Sequence, residues 1–106
     1  METPALEIEV RPTDEHDIEV VLSGELDLST APSLRACVEG LGNGYRQVLI
    51  DLGDLHFLDS TGVALLLSFQ RSFGPEFRQL TVRCPPGPVR RVLQVSGVES
   101  RLAIVG

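Results

Sequence analysis

The sequence contains few cysteines and no long hydrophobic run. Its two cysteines, Cys37 and Cys84, are fewer than the disulfide framework of a small secreted domain requires. The longest apolar run, residues 63–67, is far too short to span a bilayer, and residues 1–9 lack the apolar segment of a signal peptide. We therefore expect a soluble cytoplasmic protein with reduced thiols. A redox pair between the two cysteines stays open, because sequence alone does not place two sulfur atoms.

Positive charge is also scarce. The chain has 9 Lys and Arg residues against 15 Asp and Glu residues, which gives a formal net charge of −6 at pH 7. Nucleic acids and anionic membrane surfaces are bound by clustered Lys and Arg side chains, and this chain has no basic stripe. The composition therefore argues against both partners. The 106 residues, 42% hydrophobic and 23% charged, fit one folded domain spanning residues 1–106.

Motifs for catalysis and for cofactors are missing as well. The chain has neither the Gly-x-Ser-x-Gly turn of the α/β-hydrolases nor the Gly-x-x-x-x-Gly-Lys loop that cradles phosphates. Its two histidines have no Cys or carboxylate at metal-ligand spacing, so we assign His16 to a turn and His56 to a strand end. We therefore predict no enzyme activity, no catalytic residue, no metal and no cofactor.

Short strand patterns alternate with helical patterns along the chain. Strands are predicted over residues 6–10, 18–22, 48–52, 80–83 and 102–105. The first helix is predicted to follow a cap at Ser29 or Thr30, with Pro32 in its first turn, and the other two to begin at Ser60 and at Pro88. The predicted ends are Gly42 and Gly44, Gly74 and Pro75, and Gly97. The order ββαβαβαβ predicts an α/β domain with a central mixed sheet, parallel after its first hairpin, and helices packed on it. The apolar residues 48–52 are typical of a sheet buried on both faces.

A Ser-Thr pair lies where the third strand passes into the second helix, in Asp59-Ser60-Thr61-Gly62. One interpretation is structural, because Ser and Thr are preferred helix caps and Gly tolerates a tight turn. The other is functional: a hydroxyl at a helix N-terminus is exposed to a modifying enzyme. A phosphate there would receive backbone N–H groups and the positive end of the helix dipole.

A second polar segment, Gly24-Glu25-Leu26-Asp27, leads through a predicted loop over residues 24–30 into the first helix. Binding sites of parallel α/β sheets usually lie at such carboxyl edges. Asp27 is interpreted either as a binding residue or as a loop carboxylate that accepts backbone N–H groups. If this loop shares an edge with Ser60, a phosphate on Ser60 would repel an acceptor surface rather than unfold the domain.

The two segments together resemble the signature regions of the STAS-domain anti-sigma factor antagonists. The resemblance rests on Gly24-Glu25-Leu26-Asp27 with Thr30-Ala31-Pro32, and on Leu55-His56-Phe57-Leu58 with Asp59-Ser60-Thr61-Gly62. It extends over nearly the whole chain and implies a single STAS-like domain. The sequence departs from many members at Val63-Ala64, where they have Leu-Gly, and in the proline-rich Cys84-Pro85-Pro86.

The resemblance also implies a switch. By this resemblance, Ser60 matches the residue that an anti-sigma factor, itself a serine kinase, phosphorylates with ATP. The unphosphorylated form binds the anti-sigma factor and frees its sigma factor, the phosphorylated form does not bind, and a phosphatase restores binding. The partner-binding residues that we predict from it are Asp27, Ser29, Thr30, Asp59, Thr61, Gly62 and Val63.

Other interpretations remain beside this one. The chain is alternatively a non-switching STAS interaction or scaffold module, although such scaffolds usually have a further sensory domain, whose absence favours a free-standing antagonist. The apolar helix over residues 63–69 is either buried against the sheet and a neighbouring helix, or leaves Val63 or Leu67 exposed to dock a partner. Whether Thr61 is a second acceptor and whether the chain forms oligomers stay open.

Overall fold

The structure is a computed structural model that describes residues 5–42, 44–73 and 79–106. Its elements are β1 (Leu6–Pro12), β2 (Asp17–Leu26), α1 (Ala31–Gly40), β3 (Gln47–Leu58), α2 (Ser60–Ser72), β4 (Gln79–Arg83), α3 (Pro88–Val95) and β5 (Ala103–Val105). The predicted order ββαβαβαβ is confirmed. The predicted end of the second helix at Gly74 and Pro75 lies outside the described residues.

The five strands form one mixed sheet in the order β1-β2-β3-β4-β5. β1 and β2 are antiparallel, whereas the other neighbouring pairs are parallel. Because parallel crossovers are right-handed and the strands are added in one direction, the three helices lie on the same face of the sheet. The prediction that residues 48–52 are buried on both faces is therefore wrong. Val48, Ile50 and Leu52 are buried, but Leu49 and Asp51 on the opposite face are only half-buried.

β2 and β3 are longer than predicted, and β2 continues into the segment that had been assigned to a loop. Their pairing contains two register shifts, each of which adds one residue to β3. The buried positions Leu52, Leu55 and Leu58 are consequently three residues apart rather than two. The loop predicted from residue 24 begins instead after Leu26. His16 lies exposed in the turn between β1 and β2, as predicted, and His56 lies exposed near the end of β3.

Gly24 marks a close approach between β2 and the start of the chain. Its φ of 102° is one that residues with a side chain rarely adopt, and an added Cβ would lie 2.2 Å from the carbonyl oxygen of Ala5. The same carbonyl accepts a hydrogen bond from the N–H of Glu25 at 2.8 Å. The glycine of the Gly24-Glu25-Leu26-Asp27 segment is therefore explained by backbone packing.

The core lies between the sheet and the helices. The residues that α2 buries in it include Val63, Leu65, Leu66 and Phe69, while Leu67 is half-buried and packs against it. Val63 is only 5% exposed, so the interpretation that it docks a partner from the surface is wrong. None of the described helices is long and apolar enough to cross a membrane.

The two cysteines are free thiols. Cys37 is half-buried and Cys84 is buried. Burial raises the pKa of both thiols.

Candidate functional site

The two polar segments meet at the carboxyl edge of the sheet. Leu26 at the end of β2 pairs in register with Leu58 at the end of β3, so Asp27 and Asp59 leave the sheet side by side. The backbone N–H of Asp59 also donates to the carbonyl oxygen of Leu26 at 3.3 Å. The condition set from the sequence, that the Asp27 loop shares an edge with Ser60, is therefore met.

Ser60 is the first residue of α2, and its side chain is exposed. The capping residue is Asp59, whose carboxylate oxygen Oδ1 accepts a hydrogen bond from the N–H of Gly62 at 3.0 Å. No hydrogen bond joins the Ser60 hydroxyl to any residue within the described ranges. The interpretation of Ser60 as a helix cap is therefore wrong, and its hydroxyl is not needed to start the helix.

Gly62 lets the first turn of α2 pack directly on the ends of β2 and β3. A Cβ at this position would lie 2.6 Å from Cδ1 of Leu58, 2.9 Å from Cγ of Leu26 and 3.1 Å from the carbonyl oxygen of Leu26. Gly62 is buried and the neighbouring Thr61 is half-buried. Gly62 thus positions Ser60 through packing and does not offer a side chain to a partner.

The loop after β2 is fastened by the Asp27 side chain. Its Oδ1 accepts hydrogen bonds from the N–H of Ser29 at 2.9 Å, the hydroxyl of Ser29 at 2.8 Å and the N–H of Thr30 at 3.1 Å. These bonds favour the ionised carboxylate and lower the pKa of Asp27, with the Ser29 hydroxyl making the largest contribution. Asp27 therefore acts as a loop carboxylate that accepts backbone N–H groups, which is one of the two interpretations made from the sequence. It remains charged at neutral pH.

Thr30 fastens the other end of the same loop. It occupies the N-cap position of α1, with Pro32 in the first turn as predicted, but its side chain makes no capping bond. Its hydroxyl instead accepts from the N–H of Asp27 and donates to the carbonyl oxygen of Glu25, both at 2.9 Å. Because Thr30 is only 8% exposed, it supports the loop from inside and is not itself on the surface.

Leu28 is the residue of this site that the sequence interpretation missed. It lies between Asp27 and Ser29 and is 73% exposed, whereas large apolar side chains in a folded domain are usually buried. The signal in the sequence was a leucine inside an otherwise polar loop. The exposed residues at this edge include Glu25, Leu28, Ser29 and Ser60, together with Phe57 on the strand beside Glu25. Asp27, Asp59 and Thr61 are half-buried between them.

The Ser29→Ala substitution should raise the pKa of Asp27 toward the ordinary value of an aspartate. The reason is that it removes the strongest of the hydrogen bonds that favour the carboxylate. Because the pKa of Asp27 is lowered by folding, its contribution to stability is present above the ordinary pKa and is lost as the pH falls through the lowered one. The measurement is an NMR titration of the Asp27 carboxyl carbon.

Ser33→Ala is the matched control, because Ser33 is exposed in the first turn of α1 and its side chain makes no bond to Asp27. It should leave the titration of Asp27 unchanged. Equal Asp27 pKa values in Ser29→Ala and in the wild type would contradict the proposed cause.

Comparisons with known proteins agree with this architecture. A family model described as "Mlab, STAS domain" matches residues 10–106. The chain is similar to the anti-sigma-B factor antagonist of Staphylococcus aureus, with 24% identity over 93 residues that cover 87% of this chain and 86% of that protein. It is also similar to the crystal structure of an anti-sigma factor antagonist from Mycobacterium paratuberculosis, with a TM-score of 0.86 and 24% identity over 98% of this chain and 89% of that chain.

A further likeness is to the phosphorylated form of the Bacillus cell fate determinant SpoIIAA. The TM-score is 0.70 and the identity 22%, over 94% of this chain and 92% of that chain. These likenesses confirm the predicted fold, a five-stranded mixed sheet with three helices. The names of these relatives describe antagonists and not enzymes, in agreement with the prediction that the chain is not an enzyme.

Proposed function

The chain belongs to the STAS domain family, and we propose that it acts there as an anti-sigma factor antagonist controlled at Ser60. The unphosphorylated form binds an anti-sigma factor that is also a serine kinase, and the bound sigma factor is released. The kinase transfers the γ-phosphoryl group of ATP to Oγ of Ser60. A phosphorus–oxygen bond forms, the bond to the leaving ADP breaks and the hydroxyl proton is released. The phosphorylated form does not bind, and a phosphatase hydrolyses the phosphate to restore binding.

The observation that carries this proposal is the position of Ser60. A kinase must reach the acceptor hydroxyl and hold it in line with the γ-phosphoryl group. Ser60 is exposed at the start of α2, and Asp59 satisfies the helix N-terminus in its place. The hydroxyl is therefore free to react without loss of a structural hydrogen bond.

The charges around Ser60 explain why a phosphate would act as a switch. A phosphate adds about −1.5 to −2 charges at neutral pH. It would join the carboxylates of Asp59 and Asp27 on the same edge of a chain whose net charge is already −6. The positive end of the α2 dipole offsets part of this repulsion within the domain. The added charge therefore changes what the edge can bind more than it changes the fold.

The relatives support the same function. The similar proteins of Staphylococcus aureus and Mycobacterium paratuberculosis are named as antagonists of anti-sigma factors. SpoIIAA, a protein of the same fold, exists in a phosphorylated form. The second candidate function is a non-switching STAS interaction or scaffold module. The observation that favours it is the description of the matching family model, "Mlab, STAS domain", which does not mention anti-sigma factors.

The test is phosphorylation by purified anti-sigma factor kinases of the source organism, each incubated singly with the chain and Mg-ATP. One kinase should add a single phosphate, which mass spectrometry should locate on Ser60. Ser60→Ala should gain none and still bind that kinase, and Thr61→Ala should be phosphorylated like the wild type. Normal phosphorylation of Ser60→Ala would exclude Ser60 as the acceptor, and a wild type that no kinase modifies would favour the scaffold function.

A further inference from the structure

We propose that Leu28 anchors the chain to its anti-sigma factor kinase. The Leu28 side chain enters an apolar pocket of the kinase, which has a basic rim and lies beside the nucleotide site of the kinase. This inference rests on the proposed function, because it takes the kinase as the partner. It adds the side chain that supplies binding energy and selects among kinases, whereas Ser60 supplies only the chemistry.

The exposure of Leu28 is the first observation behind this inference. Leu28 is 73% exposed, and among the large apolar side chains on the described surface it is the one that projects from the loop after β2. Burial of a leucine side chain in a partner removes apolar area from water and favours association. The residues that carry most of the binding energy cluster near the centre of an interface, and Leu28 has that position on this edge.

The second observation is that the loop holds Leu28 in one place. The bond from the N–H of Ser29 to Oδ1 of Asp27 closes a turn around Leu28, and the N–H of Ala31 donates to the carbonyl oxygen of Asp27 at 2.8 Å. The buried hydroxyl of Thr30 secures the same loop from inside. A side chain on such a fixed turn loses little conformational entropy when it docks.

The third observation places Leu28 beside Ser60. Leu26 and Leu58 are paired across β2 and β3, and Leu28 and Ser60 each lie two residues beyond that pair. A kinase whose active site receives Ser60 must therefore also cover the loop that presents Leu28. This position puts the pocket for Leu28 next to the bound nucleotide.

Charge decides which partner fits. Leu28 is flanked by the exposed Glu25 and by Asp27, whose lowered pKa keeps it ionised, and Asp59 lies on the neighbouring strand end. An apolar pocket with a basic rim complements this arrangement, and a site that binds the anionic ATP provides positive charge. A second copy of the same edge would place these carboxylates against one another, which disfavours a dimer through Leu28.

The test compares two exposed apolar residues. Leu28→Ser is compared with the control Val95→Ser, because Val95 is also highly exposed, at 79%. Val95 lies at the end of α3, the helix that returns the chain from the carboxyl ends of the strands to their amino ends. The probe is the purified kinase that phosphorylates Ser60, in the presence of ADP. Leu28→Ser should raise the dissociation constant about tenfold or more, and Val95→Ser should change it less than twofold.

Kinetics separate docking from chemistry. Leu28→Ser should raise the KM for the chain and leave kcat close to that of the wild type, because Ser60 is intact. Leu28→Met should restore most of the affinity. Unfolding midpoints in urea should be the same for the serine variants and the wild type, which excludes misfolding as the cause.

Three results would contradict the anchor role of Leu28, and only one of them would also contradict the proposed function. If Leu28→Ser binds as tightly as the wild type while Ser60 is still phosphorylated, the anchor is overturned and the proposed function stands. If the wild type is a dimer that Leu28→Ser dissociates, Leu28 serves self-association and the inference is again overturned. If no kinase phosphorylates the wild type, both fail together.

Discussion

Phosphorylation of Ser60 should weaken binding of the chain to its nucleotide-loaded anti-sigma factor kinase by about a hundredfold or more. The new phosphate would lie against the phosphate groups of the bound nucleotide, and like charges brought together at an interface cost several kcal/mol, with each 1.4 kcal/mol being tenfold in affinity. The same modification should change the free energy of unfolding by less than about 1 kcal/mol, which is the usual size of a charge effect at an exposed helix N-terminus. A large effect on binding with a small effect on stability is the signature of a surface switch.

The arrangement around Ser60 explains this separation. The hydroxyl makes no hydrogen bond within the described part of the chain, so its modification breaks none. The first-turn N–H groups of α2 and the helix dipole favour the phosphate, while the carboxylates of Asp59 and Asp27 disfavour it. These opposing effects act within the folded domain. The nucleotide of an approaching kinase, in contrast, is repelled by the added negative charge.

The measurement is titration of the kinase with the unmodified chain, the phosphorylated chain and Ser60→Asp, with urea unfolding of each. Ser60→Asp should bind weakly, although less weakly than the phosphorylated form, because it adds one charge rather than nearly two. Ser100→Asp is the control. Ser100 is exposed in the turn before β5, at the amino ends of the parallel strands, whereas Ser60 lies at their carboxyl ends. It adds the same charge and should bind normally. Equal losses in both variants would mean that net charge, and not the position of Ser60, controls binding.

The meeting of the two polar segments could be predicted from the sequence. Alternation of strands and helices with short connections predicts parallel neighbours, and parallel neighbours bring their carboxyl ends to one edge. Asp27 and Ser60 therefore share an edge whatever the details of the pairing. The prediction needed only the order of the elements, which hydrophobic periodicity indicates well.

Other features of the fold depend on interactions between strands, which the pattern of residues along the sequence does not contain. β3 continues past Leu52 because two extra residues are accommodated in its pairing with β2, and they change the spacing of buried leucines from two to three. A search for strict alternation stops at that point. The one-sided cover of the sheet likewise follows from the spatial order of the strands, which the sequence did not specify.

The sequence also did not show which polar residues cap the helices and which ones hold the loop. Asp59, Ser60 and Thr61 are all plausible caps by residue type, and only the hydrogen bond to the N–H of Gly62 assigns that role to Asp59. Thr30 was a candidate cap by the same reasoning, yet its hydroxyl bonds to Asp27 and Glu25 instead. Leu28 was passed over because periodicity arguments look for apolar residues that repeat, and Leu28 stands alone in a loop.

Gly62→Ala should destabilise the domain by about 1–3 kcal/mol, the range observed when a methyl group is forced into a packed interior. Its Cβ would lie within 3.1 Å of the carbonyl oxygen of Leu26 and closer still to side-chain atoms of Leu58 and Leu26. The leucine side chains can yield in part, but the carbonyl belongs to the strand. The first turn of α2 must therefore shift, and the 3.3 Å bond between the N–H of Asp59 and that carbonyl is weakened with it. Urea unfolding measures the loss as a lower midpoint with an unchanged slope.

Gly40→Ala is the matched control, because it makes the same substitution in the other long helix with the opposite expected sign. Outside the helix's own backbone, no atom of the described residues lies within 4 Å of a Cβ at Gly40, and its φ is not in the left-handed region. Alanine there should stabilise the domain by up to about 1 kcal/mol, since it restricts the unfolded chain and favours helix. If both substitutions stabilise the domain, α2 does not rest on the strand ends through Gly62. If Gly62→Ala destabilises the domain and also slows phosphorylation of Ser60 under folded conditions, the glycine sets the position of the acceptor hydroxyl through packing alone.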